Sequence, residues 1–175
     1  MSCSSCQKGS RYYSPPRRHR KHHDDRYKYK REHKPVADCT EALPITYQHF
    51  AADLQGRNEV PPVFTTAHGR AEVQLASDGS HVHYKVYVYN LATAPISAHF
   101  HLGRAGTNGP VVVGLNAFGR RHHVHISEGT WRIDSPTQPL TGQQIQNLRQ
   151  GLLYINVHTQ ASPNGEIRGQ LIYKH

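Results

Sequence analysis

From Ile45 onward, apolar and polar residues alternate with a period of two. In "SHVHYKVYVYNL", Val82, Tyr84, Val86 and Val88 point one way, and His81, His83, Lys85, Tyr87 and Tyr89 the other. That is a strand with one buried face. "RAEVQLASDGS" repeats the pattern, with Ala71, Val73 and Leu75 inward and Asp78-Gly79 turning into the next strand. Further along, Ile96, Ala98, Phe100 and Leu102 form an apolar set, so Ser97, His99 and His101 face away from the core. Leu153, Ile155 and Val157 form another, leaving Tyr154, Asn156 and His158 outside. After a turn at Pro163-Asn164-Gly165, Ile167 and Leu171 face inward, and Glu166, Arg168 and Gln170 outward. The pattern also predicts strands over 47–54, 110–115, 122–133 and 165–173. One helix is predicted: Thr141-Gly-Gln-Gln144 reads as a capping box and Gly151 as its stop. Many short strands joined by Gly, Pro and Asn turns make an antiparallel sandwich or barrel with one short helix.

Residues 1–44 break this pattern. They hold 11 Lys/Arg against 5 Asp/Glu, four His and four Tyr, with few aliphatic residues. Too little apolar surface is available there to offset the entropy of ordering, so the segment reads as a disordered basic tail ahead of a β-domain over 45–175. The tail carries +6 of the formal +9, so the basic balance belongs to it and not to the domain. A basic segment attracts phosphate non-specifically. Here Asp24, Asp25 and Glu32 interrupt the charge and no recognition motif is present, which argues against nucleic acid as the partner. All three cysteines, Cys3, Cys6 and Cys39, lie in the tail. Cys3 and Cys6 form a C-x-x-C without a surrounding βαβ pattern or a second Cys pair, so exposed thiols or intermolecular cross-links are the expected roles. No apolar run near Met1 resembles a signal peptide, and none approaches the ~18 residues of a membrane-spanning helix.

The alternation places His99, His101 and His158 on the same outward face. If their strands are neighbours, three imidazoles converge, a ligand set that suits copper or zinc and leaves a coordination position open. Asn156 or Glu166 would then orient a ring from behind. The alternative is that the histidines hydrogen-bond within a polar face and fix the Gly-rich loop that follows. Glu166 and Arg168 are expected to form a cross-strand or loop-anchoring ion pair. Asn58-Glu59-Val60-Pro61-Pro62 predicts a rigid edge or corner. His122, His123 and His125 read as a solvated strand face. No Ser/His/Asp or Cys/His catalytic set stands out.

Three separated motifs carry a resemblance: "LQGRNEVPPVFTTAHGRAEVQL", "AHFHLGRAGTNGPVVVGL" and "GLLYINVHTQASPNGEIRGQL". Together, over residues 46–173, they resemble the CHRD domain named for chordin. The resemblance implies an extracellular or surface β-domain. A weaker similarity is to copper/zinc superoxide dismutase, through H-x-H-x-x-G and a later V-H strand followed by an Arg. It implies a Greek-key, superoxide-dismutase-like fold, copper ligands at His99, His101 and His158, and Arg168 above the metal. The chain departs from that pattern in lacking a His/Asp zinc loop and an intrachain disulfide.

Two functional expectations follow. One is a structural or surface-assembly protein, such as a spore coat or exosporium component, whose tail cross-links it through Cys3, Cys6 and Cys39 to itself or to other coat proteins. That setting reconciles a surface layer with the missing signal peptide. The other is a copper- or zinc-binding protein with redox activity at the three-histidine site.

Overall fold

The structure is a computed structural model and describes residues 44–175. The tail, including Cys3, Cys6 and Cys39, lies outside the described residues. The domain is built from strands β1 (Tyr47–Gln55), β2 (His68–Ala76), β3 (His81–Tyr89), β4 (Pro95–Leu102), β5 (Val111–Gly114), β6 (Gly119–Arg121) and β7 (Val124–Arg132). Helix α1 (Gly142–Arg149) and strands β8 (Leu153–Thr159), β9 (Ile167–Gln170) and β10 (Ile172–Lys174) complete it. All pairings are antiparallel. The strands follow one path, β5-β4-β8-β9-β1-β2-β3-β7-β6, with β10 adding to β1. This single sheet curls into a half-barrel, so the expected all-β antiparallel architecture with one short helix is the one observed.

The inward positions of the alternation make the core. Phe50, Leu54, Leu75, Val82, Val86, Val88, Phe100, Leu153, Ile155, Val157, Ile167 and Leu171 are all buried. Phe100 joins the two halves of the sheet, packing edge-on to Tyr84 of β3 at 5.7 Å and against Trp131 of β7 at 5.6 Å. Each such side chain contributes roughly 1.5–3 kcal/mol through burial. Helix α1 starts as its sequence requires. Thr141 accepts from the Gln144 amide, and the Gln144 side chain accepts from the Thr141 amide. Leu148 turns its buried side chain into the core cluster.

Two strand boundaries differ from the periodicity. The 122–133 segment is the second arm of a hairpin. Gly119–Arg121 pairs with Val124–Ile126, and the turn falls at His122, whose φ is +52°. His122 and His123 are therefore exposed turn residues and not a strand face, while His125 stands on β7. The 165–173 segment splits into β9 and β10. The first pairs with β8 and, at Arg168 opposite Gln55, with β1; the second pairs with β1 over Phe50. The break falls at Leu171, whose amide bonds to the Leu153 carbonyl while its side chain is fully buried.

The Asn58–Pro62 stretch is a corner. A 3-10 turn over Gly56–Asn58 leads into it, and the amides of Glu59 and Val63 both close onto the Gly56 carbonyl.

Candidate functional site: three histidines beside a clamped loop

Register explains how the outward residues of β4, β8 and β9 meet. His99 stands opposite Asn156, which stands opposite Arg168; His101 stands opposite Tyr154, and His158 opposite Ser97. These directly opposed pairs bring His99 and His158 into diagonal contact, with His99 Nδ1 3.1 Å from His158 Nε2. One nitrogen from each of His99, His101 and His158 lies within 4.8 Å of the others.

The backbone sets the tautomer of two of these rings. His101 Nδ1 donates to the Gly109 carbonyl at 2.9 Å, and His158 Nδ1 donates to the Pro163 carbonyl at 2.9 Å. A carbonyl only accepts, so the proton sits on Nδ1 and the neutral ring presents the Nε2 lone pair. His101 Nε2 is buried and has no hydrogen-bond partner. The Asn156 side-chain amide lies 3.0 Å from His158 Nε2. Burial lowers the pKa of His99, and the neighbouring His158 and His101 lower it further. Burial also lowers that of His158, against the raising effect of its bond to Pro163 and with a smaller lowering from His101. Both rings are thus held neutral, the form that ligates metal.

Part of this face is covered, contrary to the alternation: His101, Tyr154, Asn156 and Arg168 are buried, while His99 and His158 are half-buried. Loop 103–110 folds over it, and Arg168 holds the loop down. Arg168 is 1% exposed. Its Nη2 donates to the Arg104 and Thr107 carbonyls at 3.0 and 2.8 Å, and its Nη1 to Asn108 Oδ1 at 3.3 Å. The guanidinium carbon lies 3.4 Å from the centre of the Tyr154 ring. Tyr154 in turn stacks on His101 at 4.8 Å, with an interplanar angle of 11°. Its hydroxyl accepts from the Gly109 amide. A Cβ at Gly109 would run into the Leu102 carbonyl, so only glycine lets the loop return this close to the end of β4.

Glu166 and Arg168 do not form the expected ion pair. Glu166 is 1% exposed and turned elsewhere. It accepts from Thr65 Oγ1 at 2.8 Å, the Ala92 amide at 3.0 Å and Thr159 Oγ1 at 2.7 Å, tying three segments together. It is not placed to orient a histidine. Gln170, also expected outward, donates to the Gly103 and Gly151 carbonyls beneath the same loop.

The carboxylate that does sense Arg168 is Glu59, which the sequence reading placed only in a corner. Burial raises its pKa from 4.5 to about 7, against a lowering pull from Arg168. Its carboxyl packs on Gly165, where a Cβ would come within 2.5 Å of Oε1, and Oε1 has no hydrogen-bond partner. Asn58 Nδ2 donates to the Arg168 carbonyl at 3.0 Å, and Asn108 Nδ2 to the Val60 carbonyl at 2.7 Å. The three sequence motifs thus meet around Arg168. The glycines in "LGRAGTNGP" were the available signal that this loop returns close to the sheet.

The CHRD domain family matches residues 50–171 of the chain. Chordin of Xenopus laevis is 28% identical over 134 residues, which is 71% of this chain and 13% of that protein. Chordin of Danio rerio is 29% identical over 116 residues, 63% of this chain and 12% of that protein. The match therefore spans about an eighth of these curated relatives. No solved structure matches the chain. With the three motifs gathered around one buried arginine and the family match covering 50–171, the chain belongs to the CHRD domain family.

Proposed function

We propose that this CHRD domain binds one copper or zinc ion between His99, His101 and His158. The observation that carries the reading is His101 Nε2, a buried imidazole nitrogen with no partner, beside two other rings whose nitrogens lie within 4.8 Å. An unsatisfied buried polar atom costs roughly 1–3 kcal/mol, and a metal bond would relieve it. The donor set fits: three neutral imidazoles suit copper and zinc, and a fourth position stays free for a non-protein ligand. The Gly109 and Pro163 carbonyls act as the outer hydrogen-bond partners that metal-ligating histidines ordinarily have. Copper held there would supply one-electron redox chemistry, and zinc would supply Lewis acidity. The chain's own residues orient the His101 and His158 rings, and loop 103–110 returns over His101. Metal analysis of the full chain against a His99→Ala/His101→Ala variant tests this. Loss of about one equivalent per chain is expected; equal metal content in both would end the reading.

A second reading concerns the tail. The sequence places every cysteine in residues 1–44 and none in the domain, which favours covalent assembly through Cys3, Cys6 and Cys39. On this reading the chain displays its β-domain in an extracellular layer such as a spore surface, joined to itself or to other coat proteins. No helix among the described residues is long and apolar enough to cross a membrane. Oligomers on a non-reducing gel, lost in a Cys3/Cys6/Cys39→Ser variant, are expected; a monomer under oxidising conditions would refute it.

A further inference from the structure

A second cluster of metal-ligating side chains sits on the other half of the sheet, at the hairpin between β2 and β3. Tyr47 of β1 stands in register with Ala76 of β2, and His81 of β3 follows in the same row. The small side chain of Ala76 lets Tyr47 reach across β2. The Tyr47 hydroxyl comes to 3.5 Å from His81 Nε2. The rings of His81 and His83 meet edge-on at 4.5 Å, and Tyr47 lies 5.9 and 6.0 Å from them.

The turn orients His81. Asp78 Oδ1 accepts from the Ser80 amide at 2.9 Å and from Ser80 Oγ at 2.7 Å. With its proton committed to Asp78, Ser80 Oγ accepts from His81 Nδ1 at 2.7 Å. The His81 ring therefore turns its Nε2 toward Tyr47. This chain, carboxylate to hydroxyl to imidazole, supplies the outer support that ligating histidines use. His83 Nδ1 is engaged by Thr130 Oγ1 at 2.8 Å, which leaves its Nε2 uncommitted. Arg132, which stands opposite His81 on β7, is paired with Asp134 at 2.9 Å. At 3.5 Å the Tyr47–His81 separation is long for an O–H···N hydrogen bond. It is close to the ~3.3 Å edge of a tetrahedron built from zinc–ligand bonds of about 2.0–2.1 Å.

We propose that Tyr47, His81 and His83 form a second site for a divalent cation that favours imidazole, copper(II) or zinc(II), at the turn end of the β2–β3 hairpin. It is independent of the three-histidine centre, because none of its residues lies on β4, β5, β8 or β9. It also deals with a different setting: the His83 ring is exposed, so the ion enters without displacing a loop.

Residue-resolved NMR of the full ¹⁵N-labelled chain, titrated with Cu²⁺ alone until the tail histidine signals saturate, is the test. Paramagnetic loss of the Tyr47, Ala76, His81, His83 and Thr130 amide signals is expected. It should vanish in His81→Ala/His83→Ala. It should also vanish in His83→Ala alone, where an exposed ring is removed and folding is not at issue. Ser80→Ala, which frees the His81 ring, should weaken Cu²⁺ at these amides about tenfold. No loss at saturation, or loss unchanged in His83→Ala, would overturn the proposal. Amides around His99 and His158 report the other centre separately in the same spectra, so failure at one leaves the other readable.

Discussion

The two halves of the sheet present outward faces with the same alternation and opposite fates. Across β2, β3 and β7, Glu72, Lys85 and Glu128 form one row in water, with Lys85 and Glu128 paired at 2.9 Å. Across β8 and β9, Tyr154, Asn156 and Arg168 occupy equivalent outward positions and are 2, 4 and 1% exposed. The difference is loop 103–110. It covers the second face and is held there by bonds from an arginine to backbone carbonyls. Period two fixes which side of a strand a residue is on. What lies on that side is decided by segments far away in the chain.

The comparison breaks most completely at Arg168. Arg168→Ala should uncover the second face, leaving the Arg104 and Thr107 carbonyls without their donor. A loss of about 3–5 kcal/mol is expected from denaturant unfolding. Arg168→Lys should not restore it, because a single ammonium cannot reach all three acceptors and also stack on Tyr154.

Next in size is the proton on Glu59. Its native pKa is raised to about 7, so the folded chain binds that proton more tightly than the unfolded chain does. Stability from this group is complete below about pH 4.5 and declines as pH rises to about 7, by up to about 3 kcal/mol. Glu59→Gln should abolish that decline. It should be more stable than the parent at pH 8 and close to it at pH 4.5, as read by thermal melts across pH.

A smaller effect is expected from Tyr154→Phe. It keeps the stack on His101 but removes the hydroxyl from the Gly109 amide, costing about 1–2 kcal/mol. Faster hydrogen exchange at Gly109, with the β2–β3 amides unchanged, would show that the cover alone has loosened. The smallest effect belongs to the open face: Lys85→Ala should move Tm by less than about 3 °C, because an exposed ion pair contributes little. A larger shift would mean that the open face is not simply solvated.

Much of this architecture was legible in the sequence where one face meets water. The 81–89 strand reads cleanly because its inward Val residues contrast with a solvated outer face. In "LYINVHT" both faces are buried, so the outward Tyr154 and Asn156 look like surface residues in the sequence and are not. The shared face of His99, His101 and His158 followed from parity alone, since it needed only the strands to be neighbours. The partners of Glu166 and Arg168 did not, because two charges two residues apart suggest a pair while the fold sends one to Thr65 and the other to Arg104. Glu59 was missed for a related reason: nothing local to a Pro-rich corner indicates that Gly165 will bury its carboxyl. The turn at His122 was hidden by the continuing run of histidines, which keeps the look of a strand through the reversal.

The division of 165–173 at Leu171 has a consequence for how the chain reaches this state. β4, β5 and β8 belong to one half of the sheet and β1, β2, β3, β6 and β7 to the other, and β9 with β10 is the seam between them. Those residues follow every other strand among the described residues. During synthesis, which delivers earlier segments first, both half-sheets can form hairpins while the seam is still inside the ribosome. Until then each half has an unprotected edge, at β8 and at β1. Closure waits for β9 and β10 to bring distant parts of the domain together, a slow step by its sequence separation.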